Sequence, residues 1–243
     1  MSESHQDQNP EFVHRAFSSI AGRYVFTNHV LSGGIDILWR RKVSKIVAAS
    51  APMLVVDVAT GSGDLAAAVG KRSPRATIIG ADFCAPMLDH ARRRGLPHLI
   101  VADGMELPFA ENSVDAITIG YGLRNMKNWA GALAGFARVL RPGGKLVILD
   151  FSLPERAWLR GPYRFYLHRV LPNVAALLTG NREAYTYLGE SIERFPSGDA
   201  MCRLIQDNGF CEVECQPLLG GVSSVYVAST PEDSDLVDDA ENL

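Results

Sequence analysis

Near the C-terminal end, two strand-like runs, Cys211 to Leu218 and Val222 to Ser229, are separated by only Leu219, Gly220 and Gly221. A crossover between parallel strands needs a dozen or more residues, so these two runs must form an antiparallel hairpin. Five earlier apolar runs behave differently. Leu54 to Ala59, Ala76 to Ala81, Leu99 to Ala102, Val114 to Ile119 and Lys145 to Leu149 have helix-like segments between them, a pattern that implies right-handed crossovers and a parallel sheet. The expected fold is α/β: a Rossmann-like, seven-stranded, mostly parallel sheet that closes on an antiparallel pair. A conventional dinucleotide-binding fold would end in a sixth parallel strand.

The 243 residues, 47% of them apolar, can bury one substantial core, and one domain over 11–230 is expected. Residues 11–49 read as a helical cover ahead of the first strand. Residues 153–208 form an insert in which Leu153, Pro154, Pro162, Pro172, Gly180 and Pro196 mark bends between several short helices. Residues 1–10 and 231–243 have too little apolar content to offset chain entropy and read as disordered. The last thirteen residues hold six acids and no base. Without them the chain is mildly basic, which is far from the clustered positive charge of a nucleic-acid binder. Cys84, Cys202, Cys211 and Cys215 form no metal-ligand spacing, so no metal is expected. A signal sequence and a run long enough to span a bilayer are both missing from the sequence, and a cytoplasmic protein is expected.

The first strand runs into Val56-Asp57-Val58-Ala59-Thr60-Gly61-Ser62-Gly63-Asp64, a glycine turn where a ligand can approach the backbone closely. Asp57, Gly61, Ser62 and Gly63 are therefore candidate cofactor contacts. Taken alone, the turn serves a nicotinamide cofactor and S-adenosylmethionine equally well. Asp82 ends the second strand, nineteen residues beyond Gly63, where a carboxylate can accept from both hydroxyls of a ribose. The bland alternative makes Asp82 a cap of the helix that holds Met87 and Leu88. Discrimination between the cofactors comes later in the chain. Asp103-Gly104, directly after the third strand, offers an acceptor for an adenine amino group, and Leu107-Pro108-Phe109 adds an apolar wall. Arg141-Pro142-Gly143-Gly144 then marks a tight turn into the fifth strand. These features are typical of class I methyltransferases and favour S-adenosylmethionine.

Three further segments are more selective: Thr118-Ile119-Gly120-Tyr121-Gly122-Leu123-Arg124-Asn125, Leu149-Asp150-Phe151-Ser152-Leu153-Pro154 and Tyr185-Thr186-Tyr187-Leu188-Gly189-Glu190-Ser191-Ile192. With Phe17 to Ala21 and Leu31 to Ile35, they make the chain resemble the menaquinone and ubiquinone C-methyltransferase family from about Phe12 to Ala228. The resemblance implies that Ser62, Asp82, Asp103, Gly104 and Gly120 contact the cofactor. It also implies a reduced polyprenyl quinone as substrate, demethylmenaquinol ahead of a benzoquinol or another phenol. Three positions depart from the family pattern. Val25 stands where an acid is usual, Asp36 where histidine is usual and Gly120 where serine is usual, and a glycine leaves only a backbone contact.

An aromatic ring carbon is a weak nucleophile until its neighbouring hydroxyl ionises, so polar groups are expected beside the acceptor ring. Arg124 and Asn125 follow the fourth strand at the ligand edge, and Tyr24 belongs to the cover. Arg124 is expected to stabilise the developing phenolate, with Asn125 and Tyr24 orienting the ring. The bland alternatives are an ion pair, a helix cap and a core aromatic. Aromatic residues and arginines over Trp158 to Leu178 suit either a lid that skims the inner face of a membrane or an ordinary packed helix. A homodimer is also compatible with the sequence. A nicotinamide oxidoreductase and a catalytically silent cofactor-binding module remain the readings from other functional classes.

Overall fold

The computed structural model describes residues 34–179 and 182–232. Tyr24 and Val25, with the remainder of the N-terminal cover and most of the acidic tail, lie outside the described residues. Helix α1 (Ile35–Ala49) precedes β1 (Leu54–Val58), α2 (Asp64–Arg72), β2 (Thr77–Asp82), α3 (Ala85–Arg93), β3 (His98–Val101) and β4 (Val114–Gly120). After a single 3-10 turn at Leu123–Asn125 come α4 (Trp129–Val139) and β5 (Leu140–Phe151). The insert follows, and then β6 (Cys211–Leu218) and β7 (Ser223–Ser229) complete the sheet.

Strand order is β3-β2-β1-β4-β5-β7-β6. The first five strands are parallel, whereas β7 runs antiparallel to both β5 and β6. The hairpin thus delivers β7 between its partner and the parallel sheet. The order reverses at β1 and β4, and the crevice at that switch point is where open α/β sheets bind ligands.

Central strands are buried on both faces, which explains their unbroken apolar runs. On β5, Leu146 and Ile148 join Ile117, Ile119, Phe136 and Tyr226 on one side of the sheet. Val147 and Leu149 alternate to the other side and pack with Val43, Val55, Leu65 and Val225. Helices α1 and α2 cover that second side. Because α1 is fixed by Trp39, Val43 and Val47, Arg40 is carried toward the ligand edge.

Two expectations change. The Arg141-Pro142-Gly143-Gly144 turn falls inside β5, because Val114 pairs with Leu140 and Ala116 already pairs with Lys145. The turn is therefore a bulge in the ladder. Gly143 has φ 68°, and its amide donates to the carbonyls of Thr230 and Pro231. In the insert, Pro162 and Pro172 do not separate short helices. The chain stays helical through α5 (Ala157–Phe165), a π turn (Tyr166–Val170) and α6 (Leu171–Thr179). The wider i→i+5 turn lies just before Pro172, the residue that has no amide hydrogen to donate. Helices α7 (Arg182–Arg194) and α8 (Asp199–Gln206) complete the insert.

Candidate active site

The cleft at the carboxyl edge is built first from backbone. Gly63 takes φ 77° at the start of α2, and a Cβ there would lie 2.2 Å from Leu96 Cδ1 and 3.1 Å from the Ala91 Cβ. Only glycine lets the loop pass this close to α3. Beneath the loop, Asp57 on β1 is buried and accepts from the hydroxyls of Thr60 and Thr118, each at 2.6 Å. The carboxylate thereby joins the glycine loop to β4. Burial pushes the Asp57 pKa up to about 6, against the lowering effect of the two hydroxyls.

Asp82 bridges two loops. One carboxylate oxygen accepts from the Gly61 amide and the other from the Cys84 amide, both at 2.8 Å. The first residue ahead of α3 is Cys84, so Asp82 does more than cap that helix. A carboxylate has roughly four lone-pair directions, and Asp82 lines the cleft. Ser62 also lines the cleft and donates its hydroxyl to Asp64.

Asp103 fixes the loop after β3 by accepting from the Met105 amide at 2.9 Å. A Cβ on Gly104 would meet Met126 Cε at 2.5 Å and Val58 Cγ1 at 2.9 Å. Only glycine at 104 lets Met126 and Val58 pack this closely on the loop. Gly120 lines the cleft near Leu65, whose Cδ2 would be 3.1 Å from an added Cβ. Asp57, Gly61, Ser62, Asp82, Asp103, Gly104 and Gly120 are all brought to this one cleft. Gly63 is the exception: it shapes the loop and is absent from the lining.

The β4 end is built from side chains. Tyr121 sits in the left-handed region at φ 60°, and its carbonyl accepts from both Arg124 Nη1 and the Asn125 side-chain amide. The Tyr121 ring packs on Phe151 with centroids 4.6 Å apart. Asn125 lines the cleft, and its Oδ1 also accepts from the Tyr187 hydroxyl of α7 at 3.3 Å.

Arg124 does not face the cleft as the sequence suggested. Its guanidinium turns inward to Asp150 at 2.8 Å, with side-chain exposures of 2% and 0%. A buried carboxylate requires such a partner, and this requirement overrides the residue's place on the ligand edge. Burial raises the Asp150 pKa while the Arg124 charge opposes the shift. Arg124 therefore holds the loop that presents Tyr121 and Asn125.

Several lining residues were not singled out from sequence: Arg40, Phe83, Met87, Met105, Tyr121 and Met126. Phe83 directly follows the strand-two acid, Met105 follows Gly104, and Met126 packs against Gly104. Arg40 arrives from α1, more than eighty positions from Tyr121, over whose ring its guanidinium lies 5.8 Å from the centroid.

A model of the ubiE/COQ5 methyltransferase family matches residues 3–230. The chain belongs to that family. A demethylmenaquinone methyltransferase of Thermus thermophilus is 42% identical over 88% of this chain and 100% of its own length. One from Corynebacterium kroppenstedtii is 40% identical over 93% and 97%. The ubiquinone/menaquinone biosynthesis C-methyltransferase of Bdellovibrio bacteriovorus is 38% identical over 92% and 97%. Among solved structures, a SAM-dependent methyltransferase from Aquifex aeolicus gives a TM-score of 0.52 at 19% identity, covering 73% of this chain and 82% of that one. The Haloferax volcanii complex of the Trm112 activator with a methyltransferase gives 0.62 at 18%, covering 89% and 98%. Those structures establish the Rossmann-like fold. Family and fold together make this chain a methyltransferase whose cofactor is S-adenosylmethionine.

Proposed function

We propose that the enzyme methylates a ring carbon of reduced demethylmenaquinone. The observation that carries this reading is the continuity of the cleft: it runs from the Asp82 and Asp103 loops past Gly120 to Tyr121 and Asn125. A donor seated on the first pair of loops would direct its reactive end to the second pair. The relatives from Thermus and Corynebacterium, matched along nearly their whole length, supply the acceptor class.

When bound, S-adenosylmethionine supplies an electrophilic methyl group on a sulfonium. The chain's own residues fit it by chemistry. Asp82 offers acceptors to the ribose hydroxyls, Asp103 offers one to the adenine amino group, and Met105 and Met126 add apolar surface to the same part of the cleft lining. Positioning supplies most of the catalysis, because in-line displacement needs the nucleophile held close and aligned. Asn125, fixed between the Tyr121 carbonyl and the Tyr187 hydroxyl, orients the acceptor hydroxyl. Arg124, neutralised by Asp150, is a positioning residue that acts through Tyr121 and Asn125.

A polyprenylated acceptor resides in a bilayer, and the insert offers a face that suits one. Trp158 and Phe165 are 69% and 64% exposed and seven residues apart, and Val170 and Val174 continue the stripe through the π turn. Among the described residues, Arg156, Arg160 and Arg169 have no carboxylate partner, unlike Arg164, which pairs with Glu193. Exposed aromatics with unneutralised arginines favour an anionic membrane surface. No described helix is long and apolar enough to cross a membrane, so the contact would be peripheral.

Purified enzyme given labelled cofactor and reduced demethylmenaquinone should form labelled menaquinol, identified by mass spectrometry. Turnover confined to benzoquinols would replace the naphthoquinol assignment. Co-sedimentation with phosphatidylglycerol vesicles should be lost in Trp158→Glu; vesicle binding unaffected by that change would remove the membrane-facing role of the insert.

A further inference from the structure

We propose that Arg40 binds the α-carboxylate of the methionine portion of S-adenosylmethionine, and that Asp36 holds Arg40 in position for it. The inference rests on the cofactor and is independent of which ring accepts the methyl group.

The cofactor is a zwitterion at its amino-acid end, and its carboxylate needs a donor where the cleft excludes water. Among the described residues, two cations line the cleft, Arg40 and Lys127. Lys127 directly follows Met126, which abuts Gly104, and so belongs to the adenine end. Arg40 lies over the Tyr121 ring at the opposite end, beyond Gly120. The adenine and ribose acceptors thus fix the direction in which the amino-acid end must run, and that direction leads to Arg40.

The Arg40 side chain is only 15% exposed, and the Asp36 carboxylate that pairs with its Nη1 is 5% exposed. Among the described residues Asp36 is its one carboxylate partner. A guanidinium carries five N–H donors in a planar fork, so one anchored nitrogen leaves donors for a second carboxylate. The ring of Tyr121 supports the flat face of the same group. Asp57 on β1 feels the Arg40 charge, but it makes no salt bridge to it, and its two carboxylate oxygens accept from Thr60 and Thr118.

Titration calorimetry with two product-like ligands tests the assignment. S-adenosylhomocysteine carries the carboxylate, whereas 5′-methylthioadenosine keeps the adenosine and lacks the amino-acid end. Arg40→Met should weaken S-adenosylhomocysteine roughly tenfold or more, as expected for loss of a charge-assisted pair, and leave 5′-methylthioadenosine within about twofold. Arg40→Lys should recover part of the loss, and Asp36→Asn should produce a smaller loss for S-adenosylhomocysteine alone. Equal weakening of both ligands would make Arg40 merely structural, and normal S-adenosylhomocysteine binding with a raised acceptor KM would move it to the acceptor; either result overturns the proposal. If Arg40→Met fails to fold, the unaltered enzyme still decides: the methyl ester of S-adenosylhomocysteine should bind roughly tenfold more weakly than the acid, and equal affinity would overturn the assignment.

Discussion

The two ends of the cleft are constructed on different principles. At the end formed by the loops after β1, β2 and β3, backbone conformation does most of the shaping: Gly63 at positive φ, Met126 and Val58 packed closely on Gly104, and Asp82 holding the amides of Gly61 and Cys84. At the β4 end, side chains from four separate elements converge. Arg40 comes from α1, Tyr121 and Asn125 from the loop after β4, Asp150 from β5 and Tyr187 from α7. A backbone-built end depends on spacing within one short segment. A side-chain-built end depends on how distant segments pack, so its residues support one another and fail together.

The largest effect should come from testing which end Arg124 serves. Arg124→Ala leaves Asp150 buried without its guanidinium, a change that typically costs roughly 3–5 kcal/mol. Denaturant unfolding should show that loss, and adding Asp150→Asn should restore a substantial part of it. Wild-type stability in Arg124→Ala with turnover abolished would return Arg124 to the chemistry.

Asp82→Ala probes the other end. Loss of a ribose acceptor together with the carboxylate that orders two loops should lower S-adenosylhomocysteine affinity about 100-fold, close to 3 kcal/mol. Calorimetry measures this directly. An effect under about fivefold would mean that the backbone alone holds the loops and the ligand.

Asp57 links the ends and should make stability depend on pH. Its native pKa of about 6 lies above the unfolded value, so protonation favours the native state. That contribution is complete below about pH 4 and is lost as pH rises through 6, a decline of roughly 2–3 kcal/mol. Asp57→Asn cannot ionise, so its stability relative to wild type should improve between pH 4 and pH 7. Parallel curves for the two proteins would show that Asp57 titrates near the ordinary carboxylate value. The smallest effect is expected for Asn125→Ala, in which kcat should fall roughly tenfold while S-adenosylhomocysteine affinity stays constant. A matching loss of cofactor affinity would erase the division between the two ends.

That division also explains what could be read from the chain alone. The parallel strands, the hairpin and the loops carrying Asp57, Asp82 and Asp103 follow from local periodicity and from spacings of a few residues. Arg124 shows the limit of such reading. Its position after β4 places it at the ligand edge, but the buried Asp150 carboxylate, 26 positions away, decides where its charge points. Arg40 shows the converse: nothing in the local pattern of α1 marks it as a cleft residue until α1 packs against the sheet. The insert's prolines suggested bends because helix interiors normally reject proline, whereas a single wide turn accommodates Pro172 without a break.

That wide turn, Tyr166–Val170, is equivalent to one residue added to an otherwise regular helix. It shifts the phase of everything downstream, so Val170 and Val174 stay in line with Trp158 and Phe165 while Leu167, Leu171 and Ala175 face inward. Deleting one residue there would restore regular winding and rotate α6 by about 100°, carrying its valines off the exposed stripe. A relative that is one residue shorter in this helix would therefore differ in which face it turns outward, even if every side chain on that face were the same.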